Sequence, residues 1–179
     1  GRPVNVLGII VPTIEAATKT KPVVIFAGDT VVGGKQNRII NITVWLPAAA
    51  TTAIPVSCLE HGRWNQGHQF AASRKVDYSL RAQMSDQLAN VARVEQAQAA
   101  AGPAHMASRS YAADQGQVWA EISAKETRFG ARSTTAALHD LYEREAIDVE
   151  AFVRAFPCPT GATGIAIGIG GTVVALELF

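Results

Sequence analysis

The hydrophobic and polar positions of the chain follow a strand-like period near both ends and a helix-like period in the middle. In the first third, short apolar runs alternate with polar positions, which is typical of β-strands. Strands are predicted over 4–11, 22–26, 39–46 and 53–59. The segment 13–17 is interpreted as one helical turn capped by Thr13.

The middle of the chain predicts helices. Residues 79–100 contain few helix breakers and carry one apolar stripe, formed by Leu80, Met84, Leu88 and Val91. A second helix is predicted to begin at Asp114 and to continue through Ile122.

Two further helices and a hairpin are predicted toward the C-terminus. Ser133 and Asp148 are the expected N-caps of helices over 134–143 and 149–156. Apolar runs at 161–168 and 172–179 flank a glycine-rich turn, which predicts a β-hairpin.

This order of elements predicts an α+β fold. A mixed or antiparallel sheet would form the core, with three to four helices inserted between the N-terminal strands and the C-terminal hairpin. A length of 179 residues favours a single domain over 1–179, which we expect to be shortened at both ends. The low-complexity segment 96–110 is the candidate flexible loop or linker.

Composition excludes several classes of partner. A net charge of +1, with scattered Lys and Arg, gives no electrostatic case for nucleic acid. No apolar run reaches the ~18 residues of a membrane span. Two cysteines 100 positions apart, Cys58 and Cys158, favour a reducing cytoplasmic setting, although one long-range disulfide stays open. A charged fraction of only 17% suits a compact or homo-oligomeric protein.

A first polar cluster follows the glycine pair Gly33-Gly34. Glycines allow positive φ and close backbone approach. Lys35 and Arg38 supply positive charge, and Gln36, Asn37 and Asn41 supply amide donors and acceptors. These residue types suit a phosphate or a carboxylate better than an apolar ligand, although a polar turn before a strand explains them as well. The spacing is not that of a Walker phosphate loop.

A second polar cluster occupies 57–64. Cys58 would be a nucleophile if nearby basic groups lowered its pKa, but a cysteine on an apolar strand face is often simply buried. Glu60 is the candidate general acid or base. Arg63 is a candidate ligand-binding residue, and it could equally pair with Glu60 to shape the turn.

One more candidate lies at the start of the predicted second helix. Gln115 follows Asp114, where exposed N–H groups can hold an anion, and a plain N-cap at Asp114 explains the pattern nearly as well. The histidines at 61, 68, 105 and 139 lack HxH or HExxH spacing. No metal site and no cofactor are predicted.

Four segments in combination resemble a bacterial and archaeal domain family named for its association with ADP-ribosylglycohydrolases and rhodanese-like phosphatases. They are 33–38 (GGKQNR), 54–64 (IPVSCLEHGRW), 114–119 (DQGQVW) and 167–174 (IGIGGTVV). The resemblance extends from about residue 22 to the end of the chain. It implies a link to ADP-ribose or nucleotide-phosphate metabolism through genomic association.

We therefore expect a cytoplasmic domain that binds a small anionic, nucleotide-like molecule at the two polar clusters and Gln115. If it is catalytic, Glu60 would act as acid or base, and Lys35 and Arg38 would stabilise charge. One alternative is a cysteine-dependent hydrolase or transferase that uses Cys58. The other is a non-catalytic oligomerisation or interaction module. The sequence leaves open whether the domain is an enzyme.

Overall fold

The computed structural model of the protein describes residues 5–10, 13–63, 67–100, 111–130 and 133–178. These residues form ten strands and four helices. The strands are β1 (Asn5–Ile10), β2 (Thr13–Ala17), β3 (Val23–Ile25), β4 (Thr30–Val32), β5 (Arg38–Ile40), β6 (Val44–Leu46), β7 (Thr51–Cys58), β8 (Ala71–Ala72), β9 (Gly164–Ile169) and β10 (Thr172–Leu178). The helices are α1 (Tyr78–Ala100), α2 (Gln115–Arg128), α3 (Leu138–Arg144) and α4 (Ala146–Ala155).

The main sheet has six strands in the order β1-β2-β7-β5-β4-β8. Every neighbouring pair in it is antiparallel. Strands β3 and β6 form a separate antiparallel pair. All four helices lie between these strands and the C-terminal hairpin in sequence. The predicted α+β class, with its antiparallel sheet and inserted helices, is confirmed.

The core of this sheet follows from alternation along its central strands. Ile14 and Ala16 of β2, and Ile54 and Val56 of β7, are buried at every second position. Ile14 pairs with Ile54 in the ladder, so the two strands present one continuous apolar face. Ile40 of β5 pairs with Val56 and extends that face.

Two predictions for the N-terminal half are wrong. Residues 13–17 form β2 rather than a helical turn, because Ile14 and Ala16 are buried with a two-residue period that matches a strand. Residues 39–46 form two strands, since β5 pairs with β7 and β4 whereas β6 pairs with β3. The chain changes sheets at Asn41, whose side chain is bonded to Ser57 and to the Tyr111 carbonyl.

Helices α1 and α2 are predicted correctly, and an ion pair between Lys125 and Asp77 connects them. Asp114 caps α2, where its Oδ1 accepts hydrogen bonds from Gly116 N at 2.9 Å and Gln117 N at 3.2 Å. Lys125 of α2 is 8% exposed and bonds Asp77 Oδ1, at the start of α1, at 3.0 Å. This ion pair fixes the two helix termini to each other.

The predicted caps of the last two helices are wrong. Ser133 Oγ accepts a hydrogen bond from Thr135 N at 3.2 Å, so it closes a turn, and α3 begins only at Leu138. Helix α4 begins at Ala146, which places Asp148 inside it. Ser and Asp form local turns as readily as helix caps, and the local pattern does not separate the two.

The C-terminal hairpin confirms the prediction made from the glycine-rich turn. Strands β9 and β10 are antiparallel, with Thr172 paired to Ile169. Gly170 and Gly171 connect them with φ of +58° and +81°. Two consecutive positive φ values are the requirement of a type I′ turn, which glycine meets without strain.

The chain divides into two compact units, Gly1–Leu141 and Tyr142–Phe179. The first contains the main sheet with α1 and α2, and the second contains α4 and the hairpin. Of the predicted linker 96–110, residues 96–100 end α1 and 101–110 lie outside the described residues. Both the single domain and the linker stay predictions. None of the described helices is long and apolar enough to cross a membrane.

Candidate functional site

The two polar clusters of the sequence meet in the first unit. Strands β5 and β7 are antiparallel neighbours, and the ladder pairs Arg38 with Cys58. The chain continues this pairing beyond the ladder, since Leu59 N donates to Asn37 O at 2.9 Å. The residues that precede β5 therefore lie against the residues that follow β7. Trp64, the last residue of the second cluster, lies outside the described residues.

Glycine shapes the turn that carries the first cluster. Gly33 and Gly34 have φ of +120° and +53°, as expected of the glycine pair. Gly34 also lies directly against Phe70, since a Cβ at this position would be 2.4 Å from the ring carbon Cζ. A larger residue would push the turn away from its neighbours, so the glycine sets the position of the residues that follow.

Arg63 clamps the two clusters together. Its Nε donates to Glu60 Oε1 at 2.9 Å, and its Nη2 lies 2.8 Å from Glu60 Oε2. From the same guanidinium, Nη1 donates to the Gly34 carbonyl at 2.9 Å, and Nη2 to Asn37 Oδ1 at 3.2 Å. A planar fork with five donors suits this task, and a lysine could not reproduce it.

Glu60 is buried, with 3% of its surface exposed, and it accepts several hydrogen bonds. Its Oε2 accepts from Asn37 N at 3.2 Å, and its main-chain carbonyl accepts from Gln36 Nε2 at 2.8 Å. Burial raises the pKa of the carboxyl, but hydrogen bonds from Arg63, Thr135 and Asn37 together with the Arg63 charge outweigh it and lower the pKa overall. Glu60 is therefore ionised at neutral pH. Its role as an acid or base stays a prediction.

Arg38 is buried without a counter-charge among the described residues. It is 1% exposed, and its Nη1 donates to Cys58 Sγ. Its Nε and Nη2 find no hydrogen-bond partner in the described part of the chain. Burial raises the pKa of the Cys58 thiol, which the charge and hydrogen bond of Arg38 oppose but do not overcome. The neutral thiol leaves the guanidinium uncompensated, and such a group normally costs several kcal/mol.

Of the remaining predicted residues, Gln115 and Asn41 form hydrogen bonds within the protein, and Lys35 is exposed. Gln115, the first residue of α2, completes the edge of β7, because its Oε1 accepts from Cys58 N at 2.7 Å and its Nε2 donates to Cys58 O at 2.8 Å. Asn41 Nδ2 donates to the Tyr111 carbonyl at 2.8 Å. Lys35 is exposed on the turn. These contacts give Gln115 and Asn41 a positioning role, and Lys35 stays accessible to solvent.

Two contributions to the site were missed from the sequence. Thr135 donates a hydrogen bond to Glu60 from a distant loop, and Gly62 N donates to the Thr135 carbonyl at 2.8 Å. The backbone of His68 accepts from Gly34 N at 2.8 Å. Neither residue carries a local motif, so only contact across the fold reveals them.

The described residues contain no candidate metal site, and both cysteines are free thiols. Within them, no group of three or more His, Cys, Asp or Glu side chains could hold a metal ion. Cys58 and Cys158 are both free thiols, the first buried and the second exposed. His105 lies outside the described residues.

Comparison with protein families gives a match over most of the chain. No match was found among curated proteins or among solved structures. The family model of the ARPP-1 domain, described as the ARG and Rhodanese-Phosphatase-superfamily-associated Protein domain, matches residues 10–179. The match includes both polar clusters, α2 and the C-terminal hairpin. The chain therefore belongs to the ARPP-1 domain family.

Proposed function

We propose that the domain binds a small anionic ligand and that Arg38 supplies the main charge for it. The observation that carries the proposal is the buried guanidinium, with Nε and Nη2 unpartnered among the described residues. A phosphate or carboxylate group supplies both the missing acceptors and the missing negative charge. Burial raises the pKa of the neighbouring Cys58 thiol, so the thiol stays neutral and supplies no negative charge, and it accepts a hydrogen bond only from Nη1.

The charge balance around Arg38 supports an anion. Lys35, Arg38 and Arg63 bring three positive charges, and Glu60 is the one carboxylate bonded to them in the described residues. Because Glu60 forms its ion pair with Arg63, the positive charges of Arg38 and Lys35 are left to interact with a ligand. Lys35 lies three residues before Arg38 in the chain, and its exposed charge is accessible to an anion in solvent.

The family name suggests which anion to test first. The family is named for its association with ADP-ribosylglycohydrolases and rhodanese-like phosphatases. ADP-ribose and nucleotide phosphates carry the anionic groups that Arg38 would recognise. We propose a ligand of this class in a reducing, cytoplasmic setting, where both cysteines stay thiols. Whether the domain processes or senses the ligand is part of the proposal to be tested.

A thermal-unfolding screen tests the proposal. The ligands are ADP-ribose, ADP, a sugar phosphate, inorganic phosphate and acetate, and the variants are wild type, Arg38→Met and the exposed control Arg154→Gln. At a hundredfold excess over Kd a ligand adds about 2.7 kcal/mol, which raises Tm by roughly 5–10 °C. We expect this rise in wild type and in Arg154→Gln, and its loss in Arg38→Met. A rise that persists in Arg38→Met, or no rise with any ligand in wild type, would reject the proposal.

A second candidate function rests on the second unit. Phe152 and Val153 of helix α4 are 68% and 67% exposed, and Phe156, directly after the helix, is 75% exposed. Strand β9 likewise exposes Ile165 and Ile169. Apolar patches of this kind mark interaction surfaces, which favours an oligomerisation or interaction module. Light scattering over a range of concentrations separates a stable oligomer from a monomer.

A further inference from the structure

The second unit, Tyr142–Phe179, has no buried core among its described side chains. None of the side chains described in 142–145 and 149–178 is buried. Chains shorter than about 40 residues usually need a disulfide, a metal ion or association to become stable. Cys158, the cysteine of this unit, is a free thiol, and the described residues contain no candidate metal site. Association with another surface is the means of stabilisation that remains.

Strand β9 carries a row of exposed isoleucines. Ile165, Ile167 and Ile169 occupy alternate positions and share one face of the hairpin, where they are 49%, 44% and 67% exposed. The residues of β10 paired with them are Glu177, Ala175 and Thr172. Because these side chains are polar or small, the hairpin itself does not cover this isoleucine row. A two-stranded hairpin is at best marginally stable in water, so the row calls for a further packing partner.

The exposed apolar surface of the unit is large enough for a stable interface. Besides the isoleucine row, the stacked rings of Phe152 and Phe156, with centroids 6.1 Å apart, are exposed. With the exposed Val and Leu residues of β10, the surface reaches on the order of 1,000 Å². A typical monomer exposes a largest apolar patch of about 300–600 Å², and a stable interface buries about 800 Å² on each partner. The area therefore matches what a dimer needs.

The charge of this surface favours a second copy of the chain as the partner. Residues 155–176 contain no Asp, Glu, Lys, Arg or His. A charged partner finds no complementary group there, whereas a second copy meets the surface without like-charge repulsion. Segments that lie on membranes usually combine an apolar face with Lys or Arg, which this stretch lacks. Neither β9 nor β10 carries the Lys or Pro that protects edge strands from association.

We propose that the second unit binds the second unit of another copy of the chain, with the isoleucine row at the centre of a two-fold interface. In such a homodimer the same patch of each copy meets its equivalent. The inference rests on the oligomerisation function given above as the second candidate, and it names both the partner and the surface. It does not depend on the anion site at Arg38, which lies in the first unit.

Sedimentation velocity of the full chain, from low to high micromolar concentration, tests the inference. We expect wild type to form a dimer. Ile167→Lys places a charge at the centre of the row and should raise the dimer Kd at least about 30-fold, as at an interface hot spot. The matched control is Val94→Lys, since Val94 is 56% exposed on α1 in the first unit. The control should stay within about twofold of wild type.

Cross-linking keeps the test valid if Ile167→Lys unfolds the hairpin. In a Cys158→Ser background, Ile167→Cys should give a covalent dimer with a short bismaleimide, because a two-fold axis brings the two copies of position 167 together. Val94→Cys in the same background should not. Cys58 is buried and contributes little to the reaction.

Two results would overturn the inference, and they differ in what else they reject. A wild type that is monomeric at every concentration rejects the dimer and the oligomerisation function together, including the case in which the monomer binds phosphatidylcholine vesicles. A dimer that Ile167→Lys leaves intact and that does not cross-link through position 167 rejects only the isoleucine row. Arg38→Met should dimerise as wild type does, so this test is separate from that of the anion site.

Discussion

Arg38 and Cys58 face each other across β5 and β7, and the guanidinium of the first donates a hydrogen bond to the sulfur of the second. A few residues away, Arg63 meets the carboxylate of Glu60 with two contacts under 3.0 Å. The two arginines thus differ in whether a carboxylate balances their charge. Arg63 is neutralised and braces the turn, whereas Arg38 faces a thiol that cannot balance its charge. This contrast is the basis of our proposal that Arg38 recognises a ligand, whereas Arg63 holds the turn in place.

The first prediction concerns the reactivity of Cys58. Because Cys58 is 6% exposed and burial raises the pKa of its thiol, we expect it to react with iodoacetamide on the order of 100-fold more slowly than exposed Cys158 at pH 7.5. Both should label equally in urea. Mass spectrometry of the labelled peptides measures the two rates. Rapid labelling of Cys58 in the folded protein would instead favour the cysteine-dependent alternative.

The second prediction concerns pH and Glu60. The pKa of Glu60 is lowered in the folded state below its ordinary value of 4.5, so its contribution to stability is complete above that value and disappears as the pH falls through the folded pKa. Glu60→Gln is expected to lower the free energy of unfolding by about 2–3 kcal/mol at pH 7. The difference from wild type should shrink steadily below pH 4.5.

Urea unfolding at several pH values, followed by tryptophan fluorescence, measures this difference. The control is Glu150→Gln, which removes an exposed ion pair of 3.8 Å with Arg154 and should change stability by less than about 0.5 kcal/mol. A Glu60→Gln deficit that is the same at pH 7 and pH 3 would contradict the proposed ionisation.

The third prediction separates positioning from ligand contact at Gln115. Gln115→Ala leaves the N–H and the carbonyl of Cys58 without their partners, which should cost about 2 kcal/mol. Gln117→Ala, two residues along the same helix, removes exposed contacts to Asp114 and Gln87 and should cost less than about 1 kcal/mol. If Gln115→Ala keeps its stability but loses the response to anions, Gln115 contacts the ligand directly.

The fourth prediction concerns the two ion pairs of Lys125, one with Asp77 before α1 and one with Glu121 within α2. Lys125 Nζ lies 3.0 Å from Asp77 Oδ1 and 2.9 Å from Glu121 Oε1. A hydrogen bond from Lys125 is the main cause of the lowered pKa of Glu121. Lys125→Met should therefore raise the pKa of Glu121 and reduce stability by about 2–3 kcal/mol, because two carboxylates lose their shared cation.

Carboxyl titration by NMR and chemical unfolding give the two readouts. Lys19→Met serves as the control because Lys19 is exposed, and it should leave both quantities unchanged. A Glu121 pKa that does not move in Lys125→Met would show that the ion pair contributes little.

Periodicity and turn chemistry predicted much of the fold. The helices α1 and α2, the strand β7 and the C-terminal hairpin follow from the spacing of apolar residues, from Asp114 as a cap and from the glycine pair 170–171. These features depend on residues that are neighbours in sequence, where backbone sterics and local hydrogen bonds decide the conformation. The same reasoning failed at 13–17, because a five-residue segment carries too little pattern to distinguish a helical turn from a strand.

The sequence alone shows two polar clusters between apolar strands, at 33–41 and 57–64, and Arg38, Cys58, Glu60 and Arg63 are among their residues. Their contacts with one another follow only from the folded chain. Strand pairing over some twenty residues set Arg63 against Glu60 and left Arg38 opposite a thiol. The charge state and availability of a buried side chain depend on its neighbours in space, and the linear order of the chain does not specify those neighbours.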